Sequence, residues 1–150
     1  MRGALLLAAA ILVAASLAAS PRAQGLVAFN VEGDAITRPL GDLDGDASRG
    51  LAIVRDRRVG NCLICHAAPI AEEPFQGEIG PRLHGIGARL SAGQIRLRLI
   101  DQSILNAETL MPPYYRVSEL TDVAPEYAGR PGLSAQQIED VVAYLSGLRE

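Results

Sequence analysis

Apolar residues recur at helical spacing near the end of the chain and predict its best-defined element. They follow the pattern that lets a helix bury one face against a core. Ser134 and Gln137 have the spacing of a capping box, and Leu133 with Ile138 that of a hydrophobic staple. The pattern therefore predicts an amphipathic helix that begins just after Ser134. Its apolar stripe consists of Ile138, Val141, Val142, Leu145 and Leu148.

Two more helices are predicted upstream. Ser91 and Gln94 repeat the capping box, so a helix should begin at Ser91 and continue to about Gln102. Closely spaced apolar residues predict another helix from about Ala47 to Arg58, capped by Asp46 or a neighbour. Residues 67–90 contain three prolines and four glycines, which excludes a long helix there. The chain shows no convincing strand pattern, and the sequence therefore predicts an all-α fold.

The first stretch of the chain has the character of a targeting signal. A run of small and apolar residues extends from Gly3 to Ala19 behind Arg2. We expect residues 1–23 to form a cleaved signal peptide, with an approximate cleavage site. The run is shorter than the ~20 residues that span a bilayer, so no stable membrane anchor is expected. We divide the remainder into an irregular N-terminal arm, 24–45, and one domain, 46–150.

The charge of the chain argues against nucleic-acid binding. Two of the 14 arginines and no acidic residue lie within 1–23, which leaves 12 basic and 17 acidic side chains afterwards. The chain has no lysine, and its arginines are scattered. A basic patch that could bind nucleic acid is therefore not expected.

The sequence Cys62-Leu63-Ile64-Cys65-His66 carries the chemistry of the chain. In an exported protein C-x-x-C-H is the attachment motif of a c-type haem, in which two thiols bind one porphyrin and the histidine binds its iron. A disulfide across so short a loop would add little stability. A thioredoxin-like site would need a strand before the motif, and a zinc site would need a second ligand pair. We therefore expect one covalent haem c.

The second axial ligand of the iron is predicted by elimination. Met111 is the only methionine outside the predicted signal peptide, and Pro112 and Pro113 follow it. Prolines fix φ and donate no backbone hydrogen bond, which suits a rigid non-helical strap. His/Met ligation is a known mode in cytochromes c. The alternatives are Met111 as a core residue, with His84 as the ligand or an open iron site.

Two further residues belong to the predicted site. Residues 80–85 form a tight loop soon after His66 that includes the candidate site residue Pro81, and a carbonyl in this loop could accept the free N–H of the histidine. Arg89 follows and could meet a haem propionate, although an isolated arginine is often simply solvated. The adjacent tyrosines Tyr114 and Tyr115 either surround the haem or are ordinary core aromatics.

Together these features resemble the class I cytochromes c over most of the chain after the arm. The resemblance implies three main helices and long loops wrapped around one covalently attached haem. It also implies that the first and last helices cross, with the Gly50 to Val54 region against Tyr144. The stretch from about Gly60 to Glu150 is more narrowly similar to SoxX, the small cytochrome subunit of the SoxAX sulfur-oxidation complex. Two segments carry that similarity: Leu110 to Arg116, with Val123-Ala124-Pro125 after it, and Leu133 to Leu145.

The SoxX resemblance implies a periplasmic subunit that accepts electrons. Its partners would be the SoxA cytochrome subunit in a heterodimer, the SoxYZ carrier transiently, and a downstream electron-acceptor cytochrome. The complex couples thiosulfate oxidatively to a carrier cysteine, the reaction of an L-cysteine S-thiosulfotransferase. With Cys62 and Cys65 bound as thioethers, this chain keeps no free thiol, so the catalytic cysteine is expected on the partner. The alternatives are a free-standing periplasmic electron carrier, a haem enzyme or sensor with an open distal site, and a thiol oxidoreductase.

Overall fold

A computed structural model describes residues 26–150, and the predicted signal peptide lies outside them. Its four α-helices are α1 (Ala47–Arg55), α2 (Ile86–Arg89), α3 (Ala92–Asp101) and α4 (Ala135–Gly147). Short 3-10 helices occupy Leu40–Asp42, Cys62–Ile64, Gln102–Ile104 and Pro125–Tyr127. Extended pairing within the described range is limited to an isolated bridge between Glu32 and Ala35. The fold is all-α, as the sequence predicts.

Helices α3 and α4 begin where their capping boxes predict. Ser91 Oγ accepts the Gln94 N–H at 3.2 Å, and the Gln94 side-chain oxygen accepts the Ser91 N–H at 2.9 Å. Ser134 and Gln137 make the same two bonds at α4, at 3.2 and 2.8 Å. These bonds satisfy backbone donors that the first turn of a helix leaves unpaired.

Helix α1 is shorter than predicted. Asp46 caps its start, as expected, by accepting the Arg49 N–H at 2.8 Å. The helix ends at Arg55 rather than Arg58 because Asp56 adopts an extended backbone, with φ −73° and ψ 112°. The Asp56 carboxylate accepts the Arg58 N–H at 2.7 Å. Such local side-chain bonds favour a turn over further helix.

Helices α1 and α4 cross in close backbone contact, which confirms the predicted pairing. A Cβ on Gly50 would lie 2.0 Å from the Asp140 carbonyl oxygen and 2.8 Å from Tyr144 Cβ. Only glycine permits this approach. The Asp140 carboxylate then joins the two helices, accepting the Asp46 N–H at 2.8 Å and both Arg49 Nε and Nη2 at 2.8 Å. Burial raises the pKa of Asp140, but these hydrogen bonds outweigh it and hold that pKa below its usual value.

The N-terminal arm is part of the same hydrophobic core. Ile36 and Leu40 are each only 1% exposed and belong to one cluster with residues of α3 and α4. A buried ion pair holds the arm: Arg96 Nε and Nη2 donate to the two Glu139 carboxylate oxygens, each at 2.7 Å. Arg96 Nη1 also donates to the Ile36 carbonyl at 2.6 Å, and Glu139 accepts the Leu40 N–H at 2.9 Å. The irregular arm is therefore fixed by polar contacts inside the protein.

None of the helices within residues 26–150 has the length and hydrophobicity needed to cross a bilayer.

Candidate haem site

The C-x-x-C-H motif forms one tight turn that begins where the chain packs against α1. Gly60 is buried, and a Cβ there would lie 2.4 Å from the Ile53 carbonyl oxygen of α1. The chain then passes through Asn61 in the left-handed region, with φ 50°, into the 3-10 helix Cys62–Ile64. The Cys62 carbonyl accepts the N–H groups of Cys65 and His66 at 3.2 and 3.0 Å. The turn therefore collects both thiols and the imidazole at one place.

His66 is held in one orientation. Its Nδ1 lies 2.7 Å from the Pro81 carbonyl oxygen. Since a carbonyl only accepts, Nδ1 carries the hydrogen of this contact, and in the neutral tautomer the lone pair is on Nε2. No described side chain or backbone group makes a hydrogen bond to Nε2. The loop expected from the sequence thus supplies a carbonyl that fixes the orientation of the imidazole, as carbonyls commonly do for histidines that bind metals.

Gly80 packs directly against the imidazole of His66. A Cβ on Gly80 would lie 2.3 Å from His66 Cε1, 2.6 Å from Nδ1 and 2.8 Å from Nε2. The Gly80 N–H also donates to the Cys65 carbonyl at 2.8 Å. Backbone therefore covers the histidine with no room for a side chain, and any residue larger than glycine would displace the ring.

The loop that approaches His66 is closed by Gln76, which the sequence did not reveal. Its side-chain oxygen accepts the Ala68 N–H at 2.6 Å, and its amide nitrogen donates to the carbonyls of Ile70 and Glu73 at 3.2 and 2.8 Å. The only sequence signal was an amide side chain in a proline-rich loop that has no helix to satisfy its backbone. These bonds hold residues 68–76 folded beside the motif.

Residues 109–116, which form the methionine strap, are hydrogen-bonded to α3. The N–H groups of Tyr114 and Tyr115 donate to the Leu99 and Ile100 carbonyls at 3.1 and 3.2 Å. The Tyr114 carbonyl accepts the Leu133 N–H at 3.0 Å. Met111 is partly buried and packs against the core cluster. The strap is thus a fixed segment.

Tyr114 brings the strap to the C-x-x-C-H turn. Its hydroxyl donates to the Gly60 carbonyl at 2.6 Å, two residues before Cys62. Burial raises the pKa of the Cys62 thiol to about 11. Burial first, and then the neighbouring Cys62, also raise the pKa of Tyr114. The phenol therefore remains protonated at neutral pH and keeps its hydrogen for Gly60. Tyr114 also packs against the core cluster, and its contact with a haem stays a prediction.

Arg89 braces the loop that carries Pro81. Its guanidinium donates to the His84 carbonyl at 2.5 Å and to the Arg82 carbonyl at 2.9 Å. The side chain is thereby occupied with backbone, and a contact with a propionate stays a prediction. His84 Nδ1 is buried without a hydrogen-bond partner among the described residues.

The residues at this site fit a haem. Both cysteines are unpaired and partly exposed, as covalent attachment requires. The imidazole is aligned by its Nδ1 bond, and a thioether lies on a strap joined to the same turn. Within 26–150 no group of three or more His, Cys, Asp and Glu side chains could hold a bare metal ion. The donor set of sulfur and imidazole is that of cytochromes c.

The all-α frame, with α1 packed against α4 and the C-x-x-C-H turn directly after α1, is a class I cytochrome c fold. The chain is similar to a chain in the crystal structure of SoxXA from P. pantotrophus, with 32% sequence identity and a TM-score of 0.72. The match covers 81% of this chain and 95% of that one. The chain belongs to the SoxX family. No protein-family model and no curated protein sequence matches it.

Proposed function

We propose that this chain is the electron-accepting SoxX subunit of a periplasmic SoxAX-type complex. One haem c would be bound through Cys62 and Cys65, with His66 and Met111 as axial ligands. The observation that carries the proposal is the similarity to a SoxXA chain over 95% of that chain's length. The hydrogen bond that joins the methionine strap to the C-x-x-C-H turn supports it, because the segment that carries Met111 is attached to the segment that carries His66.

Each residue of the site has a defined task. A haem bound here would supply one-electron chemistry between ferric and ferrous iron. Pro81 holds the His66 imidazole by its Nδ1–H and makes it a stronger base. The soft sulfur of Met111 favours ferrous iron and so raises the potential. A raised potential suits a subunit that accepts electrons.

The sulfur chemistry would take place on the partners. Coupling thiosulfate to a carrier thiol forms one S–S bond and releases one proton and two electrons. The only cysteines of this chain are Cys62 and Cys65, and both are used by the haem. The chain therefore accepts the electrons one at a time and passes them to a downstream cytochrome.

Three exposed apolar residues lie next to the proposed site residues in the sequence, and they are the contacts we propose for the SoxA partner. Leu110, which precedes Met111, is 84% exposed. Ile64 lies within the motif and is 58% exposed, and Ile79, next to Gly80, is 69% exposed. Large exposed apolar residues around one site indicate a protein interface. Docking there would bring the partner close to the proposed haem.

Met111→Ala tests the axial ligand. We expect the variant to keep one covalent haem by mass spectrometry, because Cys62 and Cys65 are intact. The weak near-infrared charge-transfer band of ferric Met ligation should disappear, and the reduction potential should fall. His84→Ala is the control and should leave both unchanged. An unchanged absorption spectrum and reduction potential in Met111→Ala would transfer the sixth position to another residue.

Reconstitution with a SoxA-type cytochrome and the SoxYZ carrier tests the function. Thiosulfate should reduce the haem of this chain only when partner and carrier are present.

Leu110→Asp should weaken binding to the partner roughly tenfold or more, because it places a charge in an apolar contact.

The matched control for the docking test is Ile104→Asp. Ile104 is 47% exposed and lies beside the arm residues Leu26 and Phe29. This variant should bind the SoxA-type partner as tightly as the native chain does.

In the reconstitution test, turnover by the isolated chain, or full turnover by the partner without this haem, would contradict the proposal.

A further inference from the structure

Tyr114 joins the two halves of the proposed site. We propose that its hydroxyl is a positioning group that keeps Met111 on the haem iron, an inference that rests on the His66 and Met111 ligation proposed above. The bond from Tyr114 to the Gly60 carbonyl, at 2.6 Å, spans 54 positions of sequence. It ties the strap with the sixth ligand to the turn with the covalent attachment.

The Gly60 end of this bond is immobile. Gly60 is buried, and its Cα faces the Ile53 carbonyl of α1 so closely that a Cβ would lie 2.4 Å away. The next residue, Asn61, donates its N–H to the Asp56 carbonyl at 2.9 Å. The carbonyl that accepts the Tyr114 hydrogen therefore moves only together with α1 and the attachment turn.

The Tyr114 end is equally fixed and lies close to the ligand. Its N–H and carbonyl are bonded to Leu99 and Leu133, at 3.1 and 3.0 Å. Only Pro112 and Pro113 separate it from Met111, and both have a restricted φ. A restraint on Tyr114 is thus transmitted to the position of the Met111 side chain.

Within the described residues, Tyr114 is the only strap residue that is hydrogen-bonded to the turn. Its hydroxyl donates to the Gly60 carbonyl and also lies beside the Cys62 sulfur, and no other residue of 109–116 makes a hydrogen bond to residues 60–66. The other strap bonds go to α3 and the segment after it, to Leu133, to Val27 of the arm or within the strap. Removing the hydroxyl would also leave the buried Gly60 carbonyl without this donor, which adds to the loss. Its removal therefore loosens the strap where it meets the haem.

The neighbouring tyrosine provides a matched control. Tyr115 is buried, and its hydroxyl accepts the Val27 N–H from the arm at 2.9 Å. Tyr115→Phe therefore removes one phenolic hydroxyl from the same strap but leaves the link to the haem turn intact. The two variants differ only in which side of the strap loses a bond.

Imidazole titration of the ferric holoprotein measures how firmly Met111 is held. Imidazole displaces a weakly held methionine, and the near-infrared band reports the displacement. Tyr114→Phe should raise the apparent imidazole affinity roughly three- to tenfold, the equivalent of one hydrogen bond. Tyr115→Phe should stay within about twofold of the native protein. Mass spectrometry should show one haem on all three proteins.

A second variant keeps the test decisive if Tyr114→Phe fails to take up haem. Tyr114→4-aminophenylalanine retains an N–H donor at the same position and should titrate within about twofold of the native protein. A roughly tenfold rise in imidazole affinity in this variant would overturn the inference, since the donor is still present.

The remaining outcomes separate this inference from the proposed function. If the native band is present and Tyr114→Phe titrates like the native protein, the positioning role is wrong and the Met111 ligation stands. Equal rises in Tyr114→Phe and Tyr115→Phe would also overturn it, because the effect would then be general softening of the strap. If the native protein lacks the band, the ligation itself is wrong, and the inference falls with it.

Discussion

Gly80→Ala should reduce the yield of protein with an intact low-spin haem spectrum roughly tenfold. A Cβ at this position would stand 2.3 Å from His66 Cε1, closer than any ordinary contact. The imidazole cannot yield without leaving the Pro81 carbonyl, to which it is bonded at 2.7 Å. Overpacking of this kind costs about 1–3 kcal/mol, and here it falls on the proposed axial ligand. Absorption spectra and haem content of matched preparations measure the effect.

Gly132→Ala is the control for this change. A Cβ on Gly132 would meet its nearest atom, Tyr114 Cδ1, at 3.5 Å, which is an ordinary contact. This variant should have native spectra and haem content. A Gly80→Ala protein with a native spectrum and native melting temperature would show that His66 does not depend on the backbone that covers it.

Glu139→Gln should lower the free energy of unfolding by about 3–5 kcal/mol, much of the total for a domain of this size. The substitution removes the charge that pairs with Arg96, and both residues are only 3% exposed. The guanidinium would remain buried opposite a neutral amide that cannot accept both of its bonds, now 2.7 Å each. Denaturant unfolding of the holoprotein, followed by circular dichroism, measures the change.

Glu73→Gln is the corresponding surface change. Glu73 accepts from Arg55 at 3.0 Å, and the two side chains are 25% and 41% exposed. Exposed ion pairs contribute little to stability, so the free energy of unfolding should fall by less than about 1 kcal/mol. Similar losses of unfolding free energy in the two variants would mean that the buried Arg96–Glu139 pair stabilises the fold no more than the exposed Arg55–Glu73 pair does.

The elements with a local signal could be predicted from the sequence. The capping boxes at Ser91 and Ser134 depend on residues three apart, and both helices start as expected. The C-x-x-C-H turn and the Pro81 contact also lie within a short stretch of chain. The exception is the end of α1. The Asp56 side chain favours a turn there by accepting the Arg58 N–H, and the spacing of apolar residues gives no sign of this.

The parts that escaped prediction are made by contacts between distant residues. The arm has no periodic pattern, yet Ile36 and Leu40 complete the core because α3 and α4 present a surface for them. Arg96 and Glu139 look like ordinary charged positions of amphipathic helices, and only the assembled fold shows that they are buried. The Tyr114 bond to Gly60 is of the same kind, since nothing near either residue indicates the other.

The way the arm and α1 rest on α4 has a consequence for how this protein folds. Leu40 meets Glu139 across 99 positions, and Asp46 meets Asp140 across 94. Contacts so far apart must close a long loop before they stabilise anything, which makes a high-contact-order chain slow to fold. The proposed haem turn lies inside that loop. Its thiols and imidazole therefore acquire their final surroundings only when the two ends of the domain have met, and partial folding from either end leaves the centre of the chain accessible.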